Sequence, residues 1–155
     1  MLQDEIARQR QQLWDCAIQC MSAQRMCLST VRYCLDTSGE PCGVQHIRLL
    51  LDTAALCQST AENARRGGWL YVHTAVACAE MCERSANDCD RYPNDEKLQQ
   101  CAKVLRECAD CCKNVQENPT AAGFRQSSSN VAAEQRATEN SAEGSYSSAS
   151  TSSGD

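Results

Sequence analysis

The sequence predicts an all-α protein: an antiparallel up-down-up-down four-helix bundle with a disordered C-terminal tail. Three observations predict it. Cysteines and apolar residues recur at four- and seven-residue steps along four segments, the period of a helix face. Short turn clusters separate those segments, as expected of antiparallel neighbours. Beyond Pro119 the periodicity stops.

The first helix is expected over about Asp4 to Asp36, ending at the turn cluster Thr37-Ser38-Gly39-Glu40-Pro41. Its stripe is unusual. Ile6, Leu13, Cys20, Cys27 and Cys34 follow one another at seven-residue steps, and Cys16 lies one turn before Cys20. Thiols thus stand where a bundle places leucine or isoleucine. The second helix spans about Cys42 to Arg65, has Leu49, Leu50, Leu56 and Cys57 on its apolar side, and stops at Gly67-Gly68. The third runs from about Trp69 to Arg91 and is broken at Tyr92-Pro93. Asn94 is expected to cap the fourth, with Asp95 and Glu96 in its first turn, where carboxylates suit the helix dipole. That helix continues through Leu98, Cys101, Leu105, Cys108 and Cys112 to about Gln116. Residues 1–118 therefore form one cysteine-rich bundle. Residues 119–155 are a Ser/Ala/Glu-rich tail, expected to be disordered.

Thirteen cysteines in 155 residues approach the level of a disulfide scaffold, but three features oppose that assignment. The amino-terminal residues contain no apolar stretch typical of an export signal. The count is odd, and thiols repeating along one helix face cannot bridge within that helix. Reduced thiols in the cytoplasm are the expectation. A net charge of −5 excludes a clustered basic face for nucleic acid, and Arg65-Arg66 is a solvated helix end. No apolar run reaches the ~20 residues of a membrane span.

Antiparallel packing stacks the thiols in levels. With the end of the first helix at the top, Cys34, Cys42, His46 and Cys89 lie highest, with Cys101 about a turn below. Cys27 and Cys82 come next, then Cys20, Cys57, Cys78 and Cys108, and finally Cys16, Cys111 and Cys112. Cys16/Cys20, Cys78/Cys82 and Cys108/Cys112 are C-x-x-x-C pairs, whose Cβ atoms lie about 5–6 Å apart on a helix. Two such thiolates can hold one soft ion between them, which favours multiple Cu(I). Zn²⁺ prefers a tetrahedron, which a spread column supplies less readily. Iron–sulfur loop spacings are absent.

These fourteen residues, thirteen cysteines and His46, are the candidate metal ligands. Cys57, set among leucines, reads equally as packing. Cys42 lies in a turn, and His73 reads as a surface residue. Met21, Met26 and Met81 flank the stripe as gap-filling core. No phosphate loop, triad or carboxylate pair is present at interpretable spacing, so no enzyme is expected. Two alternatives stand beside copper binding: a helical interaction module whose thiols are packing, and a zinc or redox-sensing bundle.

The runs Cys78-Ala79-Glu80-Met81-Cys82 and Cys108-Ala109-Asp110-Cys111-Cys112, with Cys89 and Cys101, resemble the cysteine-rich four-helix-bundle copper storage proteins of the cytosolic type. The resemblance covers about Trp14 to Val115. It implies storage or detoxification of many Cu(I) ions by core thiolates, admission of ions at one bundle end and assembly into homo-oligomers. It also implies a copper donor or acceptor protein as partner. Helix two departs from the dense pattern, since it carries only Cys57 well inside it, and Thr53 and Ser85 stand where further thiols could be. A capacity of about ten Cu(I) follows if each ion takes slightly more than one bridging thiolate.

Overall fold

The structure, a computed structural model, describes residues 1–37 and 43–116. Cys42 and the whole tail 119–155 lie outside the described residues. Four helices occupy the described chain: α1 Leu2–Asp36, α2 Val44–Arg66, α3 Leu70–Cys89 and α4 Glu96–Gln116. Each helix packs on the next and α4 closes onto α1, so the four stand at the corners of a square. The all-α four-helix bundle is therefore as the periodicity predicts.

Helix ends follow local chemistry. Gly67 takes a left-handed φ of 64°, and its N–H reaches the carbonyls of Asn63 and Ala64 to close α2. The third helix stops two residues earlier than expected: Tyr92 N–H bonds to the Cys89 carbonyl at 3.1 Å, tightening the chain into the Pro93 turn. The cap of α4 is Asp95 rather than Asn94. Its Oδ1 accepts from the Leu98 N–H at 3.1 Å, while its Oδ2 accepts from the Tyr33 hydroxyl at 2.9 Å. A carboxylate there satisfies one orphan donor and favours the dipole at once.

With 35 residues, α1 outreaches its 20- to 23-residue partners. None of its first fourteen residues is buried, so its opening turns project past the bundle. Above that overhang the helices meet through alanine: Ala17, Ala23, Ala61, Ala75, Ala79, Ala86, Ala102 and Ala109 are all buried. Small residues let the backbones approach, and the cysteines fill the space between. The largest fully buried side chains are Tyr71, Leu50, Leu98 and Leu105, followed by threonines and cysteines. A core with so few large hydrocarbons leans heavily on each one. Leu105→Ala is expected to destabilise the metal-free protein by about 2–5 kcal/mol, read from urea unfolding; a loss within experimental error would show that the sulfur-rich core collapses around the gap.

Candidate metal centre

The same stripe that builds each helix turns its thiols inward. Eleven of the twelve described cysteines are buried, Cys111 alone being half-buried, and all twelve are free thiols. Two groups of four sulfurs each lie within 4.8 Å of one another: Cys20, Cys78, Cys108 and Cys112, and Cys57, Cys78, Cys82 and Cys108. They draw on all four helices. Individual Sγ separations are 3.7 Å for Cys57–Cys78, 3.6 Å for Cys57–Cys82, 4.0 Å for Cys78–Cys82 and 3.7 Å for Cys20–Cys108. Cys112 adds contacts of 3.8 Å to Cys20 and 3.7 Å to Cys16. Cys111 flanks Cys16 at the lower end.

Two expectations about this column change. Cys82, expected level with Cys27, instead meets Cys57. Cα–Cβ bonds tilt toward a helix's own N-terminus, so Cys82 leans down from rising α3 while Cys57 leans up from descending α2. The same tilt gathers four sulfurs within 4.8 Å of one another, so the column supplies four-sulfur sets that counting residue levels alone did not foresee. Cys57, ambiguous among its leucines, lies in one of those sets.

A second group stands higher. Cys27, Cys89 and Cys101 act directly on one another. His46 of α2 is 5 % exposed, with Nε2 4.0 Å from the Cys89 sulfur and Nδ1 2.6 Å from Asp88 Oδ2. The carboxylate fixes the ring's orientation, as partners of ligating histidines do. Cys34 is buried on α1 toward the same end. A surface cleft of ≈ 440 Å³ is lined by Gln45, His46, Arg84, Asp88, Arg91 and Tyr92, so solvent reaches the edge of this group. Between the upper and lower groups lie Ala23, Leu105 and a buried hydroxyl pair, Thr53 Oγ1 and Ser85 Oγ, 2.7 Å apart.

Electrostatics within each group are set by neighbouring S–H groups. Cys78 is held down toward its thiolate by Cys108, then by Cys112 and Cys20. Cys101 is lowered to about 3, chiefly by Cys27 and then Cys89. Their donors move the other way: Cys57 is pushed up, first by Cys108, and Cys27, first by Cys101, with burial adding to both. Burial raises Asp88, but its hydrogen bond to His46 and its contact with Arg91 outweigh that and hold the carboxyl below its ordinary value.

Asp88 and Tyr71 were not among the candidates from sequence. Asp88 directly precedes Cys89, yet its meeting with His46 depends on how α2 and α3 are rotated, which spacing does not reveal. Tyr71 lies against Cys16 at the lower end, 2 % exposed, and among the described residues its hydroxyl has only the weak sulfur acceptor of Cys16 beside it. A buried, poorly satisfied hydroxyl is costly, so Tyr71→Phe should stabilise the reduced, metal-free protein by about 1 kcal/mol. Thermal unfolding checks this, and a loss of stability would mean that the hydroxyl is satisfied. His73, by contrast, is exposed, edge-on to Trp69 with ring centroids 5.7 Å apart.

An antiparallel bundle whose interior holds an upper and a lower group of soft sulfur donors defines a thiolate metal-binding protein. The profile of the copper storage protein family matches residues 6–117, and the chain belongs to that family. Among solved structures, a protein of Nitrosospira multiformis is 26 % identical, with a TM-score of 0.62, covering 68 % of this chain and 95 % of that one. A cytosolic copper storage protein of Streptomyces lividans, solved during copper loading with five coppers, is 22 % identical with a TM-score of 0.68, covering 72 % of this chain and 98 % of its own. At that identity the likeness shows the fold. No curated protein matches the sequence.

Proposed function

We propose that the chain stores Cu(I), holding several ions on the thiolates of residues 16–112 and shielding them from water and oxygen. The observation that carries the reading is the pair of compact four-sulfur groups in a core where hydrocarbon would ordinarily stand. Each ion displaces thiol protons, so uptake releases protons and weakens as pH falls. All twelve described cysteines and His46 are proposed ligands, with Cys42 a further one. His46, orientated by Asp88 beside the open cleft, is the natural receiving group for ions arriving there. The family match supports copper as the cargo.

Residues 1–118 are proposed as the storing unit and 119–155 as an appended tail. The thiols require a reducing compartment, which points to the cytoplasm, and no described helix is long and apolar enough to cross a membrane. Assembly into homo-oligomers, and exchange with a copper donor or acceptor protein, complete the reading. Catalysis does not. The row Asp88–His46–Cys89 has the order of an activated cysteine nucleophile, but Cys89 is fully buried and His46 nearly so, leaving a substrate no approach to the sulfur.

Titrating the reduced protein with Cu(I) against a competing chelator tests storage. Several equivalents bound more tightly than the chelator are expected; saturation at one equivalent would reject it and leave the thiols as packing.

A further inference from the structure

The two four-sulfur groups share two members. Cys78 and Cys108 belong to both, Cys20 and Cys112 to one alone, Cys57 and Cys82 to the other alone. Six sulfurs so arranged are the donors of two tetrahedra joined along an edge. A metal–sulfur distance near 2.3 Å requires sulfurs about 3.8 Å apart around a tetrahedral ion. Separations in the fold include 3.6, 3.7 and 4.0 Å within the Cys57 group, and 3.7 and 3.8 Å within the Cys20 group. The remaining pairs of each group lie within 4.8 Å, so both groups approach that geometry without rearrangement of the helices.

We propose that these six cysteines form a binuclear site for divalent d¹⁰ cations, Zn²⁺ or Cd²⁺, with Cys78 and Cys108 bridging and the other four terminal. This goes beyond copper storage: it assigns the lower core a second class of cargo, at fixed stoichiometry and on the same thiols. Cu(I), which is satisfied by fewer thiolates per ion, places no such requirement for four sulfurs around each metal. Two M²⁺ ions replace six thiol protons, leaving a cluster with two residual negative charges spread over six sulfurs. No electron transfer is involved. The upper group lacks this arrangement: the described residues place no four donors within the same distance there.

The test uses Cd²⁺ added to the reduced full-length chain, followed by thiolate-to-cadmium charge-transfer absorption and ¹¹³Cd NMR. Two equivalents are expected, giving two resonances in the tetrathiolate range and releasing about three protons per ion. Cys82→Ser should weaken one of the two ions, Cys78→Ser both, and Cys89→Ser neither, with helicity by circular dichroism confirming that each variant folds. A single equivalent, resonances typical of mixed oxygen and sulfur donors, or two ions indifferent to Cys78→Ser would overturn the proposal. Cu(I) is titrated in parallel. Normal Cu(I) uptake beside failed Cd²⁺ binding rejects the binuclear site alone, whereas failure with both ions rejects storage as well.

Discussion

Removing Cys78 and Cys108 together, as the double Ser variant, is expected to cut Cu(I) capacity about two-fold. These two thiols are shared by both four-sulfur groups, so their loss leaves each with only two sulfurs. If the twelve described thiols bound ions independently, deleting two would remove about one sixth of the capacity. The size of the drop therefore separates bridged clusters from isolated ligands. The control is Cys27 with Cys89, replaced in the same way, which leaves the lower groups intact and should cost much less. Counting Cu(I) retained after gel filtration under reducing conditions makes the comparison, and equal losses in the two double variants would reject shared bridging.

The second large effect is on stability. The metal-free core has few large side chains, and many of its interior positions are thiols that contribute modest packing. Ions held at the proposed four-sulfur groups, between α1, α3 and α4 and between α2, α3 and α4, would tie the helices together in the native state alone. A single site occupied at a thousand times its dissociation constant adds about 4.1 kcal/mol. At roughly 2–8 °C per kcal/mol across domains of about 60–250 residues, one tight ion already shifts the midpoint by about 10–30 °C. Copper-loaded protein is thus expected to unfold far above the metal-free form in calorimetry without oxygen. The gap should close as pH falls, because every liganded thiolate is a group whose effective pKa is lowered in the loaded state, so its contribution is lost when protons reclaim the sulfur. Coincident midpoints at neutral pH would show that bound copper does not cross-link the helices.

Much of this architecture is visible in the sequence because its signal is periodic. The seven-residue run from Ile6 to Cys34 specifies a helix and, from Leu13 onward, the face that it buries, and Gly67 marks a stop that only a left-handed residue completes. What stays hidden is lateral. Which sulfur meets which depends on side-chain tilt and on rotation about each helix axis, so Cys82 meets Cys57 rather than sharing a level with Cys27. The same rotation joins His46 to Asp88 and presses Tyr71 against Cys16. The cap of α4 moved by one residue for a local reason: Asp95 can serve the Leu98 N–H and the Tyr33 hydroxyl simultaneously.

The buried hydroxyl pair Thr53–Ser85 has a consequence for how such a vessel changes over time. The alanines set the spacing of the walls, and they bind nothing. Ser85→Cys exchanges one oxygen for one sulfur in a side chain of the same shape, and Thr53→Cys needs little more, the loss of a methyl group. Thiols could thus be gained or lost at this level with the frame left standing. In this protein, capacity is a matter of which atom occupies a position rather than of how the helices are arranged, and it can drift in single steps as the copper supply of the cell changes.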